Sequence, residues 1–86
     1  MYHFYVIQCQ SSGLRYKGHT QDLDARIRQH NGGKTTTTKR GGPWCLVYSE
    51  SFPDRAMAVE RERYYKTYVG SRELSTRMES SLKVRG

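Results

Sequence analysis

Residues 2–9, YHFYVIQC, crowd aromatic and β-branched side chains into one apolar run, and after the break SSG at 11–13 comes LRYKGH at 14–19. Such a pair predicts a β-hairpin. Alternation with a period of two puts Tyr5, Ile7 and Cys9 on one face of the first strand. In the second strand Leu14, Tyr16 and Gly18 oppose Arg15, Lys17 and His19, so Tyr16 belongs to the less charged face. The period then changes. TQDLDARIRQHNGG offers Thr20 or Asp22 as N-cap, acids in the first turn, cations in the last and Asn31-Gly32-Gly33 as a stop, which predicts a helix over about 21–30. KTTTTKRGGP at 34–43 is too polar and glycine-rich to pack; it reads equally as a solvated connector or as a mobile loop whose Lys34, Lys39 and Arg40 touch phosphates. WCLVYSESF at 44–52 is the third strand. Pro53-Asp54 opens a helix that runs to a glycine stop at Gly70, and Ser71 caps a last helix over about 71–82. The order β-β-α-β-α-α predicts an α+β fold, a small three-stranded, mainly antiparallel sheet flanked by helices, in one domain over 1–86 with its core at about 2–68.

Three charged residues fall on faces that should be buried. On the first helix the stripe that joins Leu23 and Ile27 runs 23, 26, 27, 30, so Arg26 and His30 border the core while Asp24 and Arg28 turn away. The plain alternative is that Arg26 snorkels and His30 is a helix-end cation answering the dipole. On the second long helix Ala58, Tyr65 and Val69 define a stripe whose missing member is Glu62, whereas Glu60 points away. An inward carboxylate in so basic a chain is either salt-bridged to Arg26 or holds a metal ion. Phosphodiester cleavage needs a cation on the non-bridging oxygens, a proton acceptor for water and a group that neutralises developing charge. Tyrosines, Arg26, His30 and Glu62 can supply that set.

Charge and length narrow the field. In 86 residues there are 15 Lys and Arg against 8 Asp and Glu, a net charge of +7 spread along the chain, which points to a polyanionic partner. Cys9 and Cys45 each sit in an apolar run, as buried free thiols of a reducing compartment do. The three histidines, His3, His19 and His30, show no zinc-ligand spacing. No apolar stretch approaches the roughly 20 residues of a membrane span, and the N-terminal residues lack signal-peptide features, so a soluble cytoplasmic protein with no membrane contact is expected.

These residues resemble the GIY-YIG nuclease superfamily, and most closely its small stand-alone members. The first motif corresponds to His3-Phe4-Tyr5, with only the tyrosine kept, and the second to Tyr16-Lys17-Gly18, with lysine in the usual apolar place. Tyr5 to Tyr16 is 11 positions and Tyr16 to Arg26 is 10, and RIRQHNGG follows as the family's Arg-x-x-x-His-Asn helix end. GPWCLVYSESFPDRAMAVERERYYK is similar to the subfamily's third strand, Pro-Asp helix start and Glu-x-x-apolar-Lys signature, which falls on Glu62, Tyr65 and Lys66. The resemblance implies a metal-dependent endonuclease acting on DNA, with RNA as an open alternative, in repair or recombination. Tyr5 and Tyr16 would orient or deprotonate the attacking water, helped by His30 or a metal-bound water. Arg26 would bind the scissile phosphate, and Glu62 would hold one Mg²⁺ or Mn²⁺ with no small-molecule cofactor. Gly18 would keep the strand bare for a phosphate or the helix to approach, and Lys17, His19 and Lys66 would meet the nucleic-acid backbone. With no separate DNA-binding domain in the chain, specificity would come from its own basic surface or from a protein partner. A binding module that retains this fold without catalysis is the alternative reading.

Overall fold

The computed structural model describes residues 1–32 and 43–85, with side chains through residue 80. Three strands, β1 (Tyr2–Cys9), β2 (Arg15–Thr20) and β3 (Trp44–Phe52), form one sheet in the order β2-β1-β3. Both pairings are antiparallel. The hairpin closes where Cys9 N–H donates to the Leu14 carbonyl and Gly13 N–H to the Cys9 carbonyl. The unbroken apolar run of β1 suits a central strand covered on both faces. Tyr5, Ile7 and Cys9 pack with Trp44, Tyr16, Leu23 and Ile27 under helix α1 (Leu23–Asn31). Phe4 and Val6 pack with Phe52, Ala58, Tyr65, Leu74 and Met78 under α2 (Arg55–Tyr65) and α3 (Tyr68–Arg85). Each such fully buried aromatic or aliphatic side chain contributes roughly 1.5–3 kcal/mol. Between Val6 and Ile7 the β3 partner steps from Tyr48 to Leu46, so Val47 is a bulge.

Both α1 and α2 begin as the capping chemistry predicts: Asp22 accepts from the Ala25 amide and Asp54 from the Met57 amide. Both cysteines are free thiols.

The second half of the chain departs from expectation at Gly70. The helix that opens at Asp54 ends at Tyr65, and Gly70 lies inside α3 rather than stopping α2. Thr67 makes the break: its hydroxyl donates to the Tyr64 carbonyl and accepts from the Gly70 amide. That bond makes Thr67 the cap that Ser71 was expected to be; the Ser71 hydroxyl instead donates to the Tyr68 carbonyl. Val69, assigned to the apolar stripe, is 66% exposed because the stripe does not continue through the turn. Glycine is required at position 70 for space, since a Cβ there would lie 1.8 Å from the Tyr64 carbonyl oxygen.

The α2 helix is fixed to the sheet by polar contacts at its buried side. Glu50 of β3 accepts hydrogen bonds from the Tyr48 and Tyr65 hydroxyls and pairs with Arg61 at 3.4 Å. Burial and then the Glu50 hydrogen bond push the Tyr65 phenol well above its ordinary value, so it remains a donor. From the other strand edge, Lys17 Nζ donates to the Tyr65 carbonyl at 2.9 Å, a cation placed on a helix C-terminus. Replacing Gly70 by alanine should therefore destabilise the fold by about 3 kcal/mol, on the order of 15 °C in Tm by thermal denaturation. An unchanged Tm would show that the α2–α3 turn does not depend on this close approach.

Candidate active site

Tyr5 stands at the middle of the central strand, opposite Gly18 of β2. A Cβ on Gly18 would lie 2.6 Å from the Tyr5 hydroxyl oxygen, so the bare strand is what lets the ring lie across β2. Tyr5 is 1% exposed, and a phenol buried so deeply must find partners. They come from α1, where Arg26 and His30 lie four residues apart and so share a face. His30 Nε2 is 2.9 Å from the Tyr5 hydroxyl and Arg26 Nε donates to it at 3.3 Å. Tyr16 adds its ring beside them, with centroids 5.1 Å from His30 and 6.4 Å from Tyr5. The end of α1 is held by Asn31, whose side chain accepts from the Trp44 amide and donates to the Trp44 carbonyl. This side-chain imitation of a strand partner docks the last turn, and with it His30, onto β3.

Charge is distributed unevenly in this group. Burial raises the Tyr5 phenol above its ordinary value, although the hydrogen bond from Arg26 opposes the change. The hydrogen bond to Tyr5 raises Arg26 further, so its guanidinium stays charged. Burial and then the adjacent Arg26 charge lower His30, which is therefore neutral at pH 7. Besides Tyr5, the guanidinium bonds the Gln29 side chain, and it lines a cleft of about 340 Å³ shared with Tyr2, His19, Thr20 and Arg55.

Glu62 reaches the region from α2, on the opposite side of the sheet. Of the two alternatives for this carboxylate, the salt bridge to Arg26 does not form: Oε1 is 2.7 Å from His19 Nδ1 and Oε2 is 2.7 Å from Lys66 Nζ. The reason is strand alternation. His19 shares the α2 face with its partner Phe4, whereas Arg26 approaches over the Gly18 face. The two halves still interact, because the Glu62 charge helps to raise Tyr5. Burial alone would raise the Glu62 carboxyl, but the bonds from Lys66 and His19 outweigh it and hold the group below the ordinary carboxylate range. No group of three or more His, Cys, Asp or Glu gathers for a metal among the described residues. A single hard carboxylate nevertheless fits an ion such as Mg²⁺ that keeps most of its waters; loading it requires an oxygen shared with Lys66 or His19.

Tyr5, Tyr16, Arg26 and His30 are thus brought together, with Gly18 beneath Tyr5. Glu62, His19 and Lys66 form an adjoining cluster, and Lys17 is engaged by the C-terminus of α2. Lys34, Lys39 and Arg40 lie outside the described residues. Patterning missed Asn31 as a docking residue and Arg55 as a wall of the cleft. Arg55 follows the Pro-Asp helix start and reads as an ordinary exposed cation; its guanidinium stacks 5.2 Å over the Tyr2 ring.

The GIY-YIG catalytic domain model matches residues 1–76. A UPF0213 protein of Haloquadratum walsbyi is 39% identical over 70 residues, covering 79% of this chain and 78% of its own. One of Staphylococcus haemolyticus is 36% identical over 74 residues, covering 85% and 89%. The solution NMR structure of the UPF0213 protein BH0048 from Bacillus halodurans is similar with a TM-score of 0.52 and 32% identity, covering 88% of this chain and 84% of that one. Because the domain match runs through all the strands and helices that carry the tyrosines, Arg26, His30 and Glu62, the chain belongs to the GIY-YIG nuclease superfamily, among its small UPF0213 proteins.

Proposed function

We propose that the chain is a divalent-metal-dependent endonuclease that hydrolyses DNA phosphodiester bonds, serving repair or recombination. The observation that carries this reading is the buried Tyr5 hydroxyl held between a charged arginine and a neutral histidine. The Arg26 guanidinium keeps donors toward the cleft for the non-bridging oxygens of the scissile phosphate. Tyr16, half-buried, orients the attacking water. As water attacks phosphorus and the ester P–O bond breaks, its proton passes to the Tyr5 oxygen while the Tyr5 proton moves to His30 Nε2. The leaving oxygen is protonated from solvent. Glu62 would hold the Mg²⁺ or Mn²⁺ ion, which supplies Lewis-acid stabilisation of phosphoryl charge. Lys66 and His19 keep the carboxylate ionised.

A second reading, a nucleic-acid-binding module without catalysis, is favoured by one feature: both Glu62 oxygens are already engaged. Under it, DNA affinity would not respond to Mg²⁺ and no cut would appear.

With Mg²⁺ and a panel of single-stranded, nicked and branched DNAs, wild type should cleave at least one substrate. Glu62→Gln and Arg26→Ala should each lower the rate by about 10²-fold or more while remaining folded. Absence of cleavage by wild type, or equal cleavage by Glu62→Gln, would overturn the enzymatic reading.

The His30 shift gives a separate pH test. Once protonated, the imidazole can accept no proton from Tyr5, so the rate should fall on acidification through a pKa below the ordinary 6.5. Stability moves the same way. With the folded pKa depressed, the unfolded chain binds the proton first as pH drops below about 6.5, and stability declines until the folded value is passed. His30→Gln should remove this acidic limb from urea midpoints measured against pH; a limb that persists would mean another group titrates there.

A further inference from the structure

On the face of the sheet away from Tyr5 and Arg26 lies a groove of about 320 Å³ between β2 and α3. Its rim carries Arg15, Lys17 and Arg72, its α3 wall the small residues Ser71 and Ser75, and its floor Val6 and Leu74. No Asp or Glu lines it among the described residues. The carboxylate of α3 next to Arg72, Glu73, is engaged by the Tyr64 hydroxyl and by Arg77. The cations are crowded without an acid between them: burial, then Lys66 and Arg15, lower the Lys17 ammonium. The serine hydroxyls donate within the helix, to the Tyr68 and Ser71 carbonyls, so they keep the wall low and polar rather than offering new donors.

At one end of this groove Arg72 stacks 5.8 Å over the ring of Tyr68, which is 75% exposed. An aromatic left this open beside cations whose partners are all neutral, the Gln8 side chain for Arg15, the Tyr65 carbonyl for Lys17 and the Tyr68 hydroxyl for Arg72, has the chemistry of a base-stacking platform beside a phosphate track. An acidic peptide would use the cations and leave the ring idle. We infer that the groove between β2 and α3 is a second nucleic-acid site, in which Arg15, Lys17 and Arg72 hold the phosphates of a single strand and Tyr68 stacks on one of its bases. Lys17 and Lys66 continue this track along the same face toward Glu62. A bound strand can therefore run from the groove over the β2 edge into the cleft. The inference rests on the nucleic-acid reading of the chain and is independent of catalysis.

The test is binding of a fluorescent single-stranded DNA to the full chain, followed by anisotropy across a NaCl series in EDTA, where metal-dependent cleavage is off. Arg15→Gln/Arg72→Gln should reduce the slope of log K against log[salt] by about 1.4, at roughly 0.7 per lost phosphate contact. Arg15→Lys/Arg72→Lys should keep the slope, and Tyr68→Ala should weaken binding by about 5- to 150-fold. All three positions are exposed, and unchanged thermal melts would confirm folding. An unaltered slope in the Gln variant together with unaltered affinity for Tyr68→Ala would overturn the site. So would polyglutamate that binds wild type as tightly as DNA and loses that affinity in the Gln variant, an outcome assigning the groove to an acidic protein segment. Wild type that binds through the groove but cuts no DNA overturns the nuclease reading alone, whereas wild type that cuts DNA while the Gln variant keeps its slope and Tyr68→Ala its affinity overturns the groove alone.

Discussion

The structure depends on one buried hydroxyl. A phenol in the middle of the central strand costs roughly 1–3 kcal/mol if left without a partner, so Tyr5 obliges other elements to come to it. Gly18 must be bare for the ring to cross β2, and α1 must lie at the angle that delivers Arg26 and His30. Asp22 and Asn31 then serve the same end from either terminus of that helix, one capping its start and the other tying its finish to β3. The polar group that would weaken an ordinary core becomes the point at which a cation and a neutral base meet.

The opposite face solves a similar problem differently. Glu50 is satisfied by two tyrosine hydroxyls and Arg61, and through Tyr65 it sets the position of the last turn of α2. Lys17 meets that turn at its free carbonyl. Glu62 sits one turn earlier, so its carboxylate is placed by these contacts as well as by its own bonds to His19 and Lys66. Tyr65 and Lys17 are therefore part of the scaffold that holds this turn.

Much of this was legible in the residues. Period-two alternation separated Tyr5 and Tyr16 from the Phe4 face, and the stripe of α1 put Arg26 and His30 inward, where the structure has them half-buried and buried. The pairing of charges was not legible. Glu62 does lie inward, yet it meets His19 and Lys66 rather than Arg26, because stripe arguments say that a residue is inward and not on which side of a sheet. Gly70 misled for a related reason: a glycine at the end of a helical pattern reads as a stop, but here it is a spacer against a carbonyl from the preceding helix. Val69 followed it into error, since a stripe continued through an unseen turn assigns the wrong face.

The sequence by itself determined the strands, the helix starts and the inward residues of α1, because hydrophobic period and capping are properties of a few neighbouring residues. It also carried the family, through the spacing of Tyr5, Tyr16, Arg26, His30 and Glu62. Tertiary structure alone decided which charged head meets which partner, and that β2 would stand at the sheet edge with Arg15, Lys17 and Arg72 around one groove. Those outcomes depend on residues dozens of positions apart arriving within a few ångströms, and long side chains commit their ends only when packing has fixed everything beneath them.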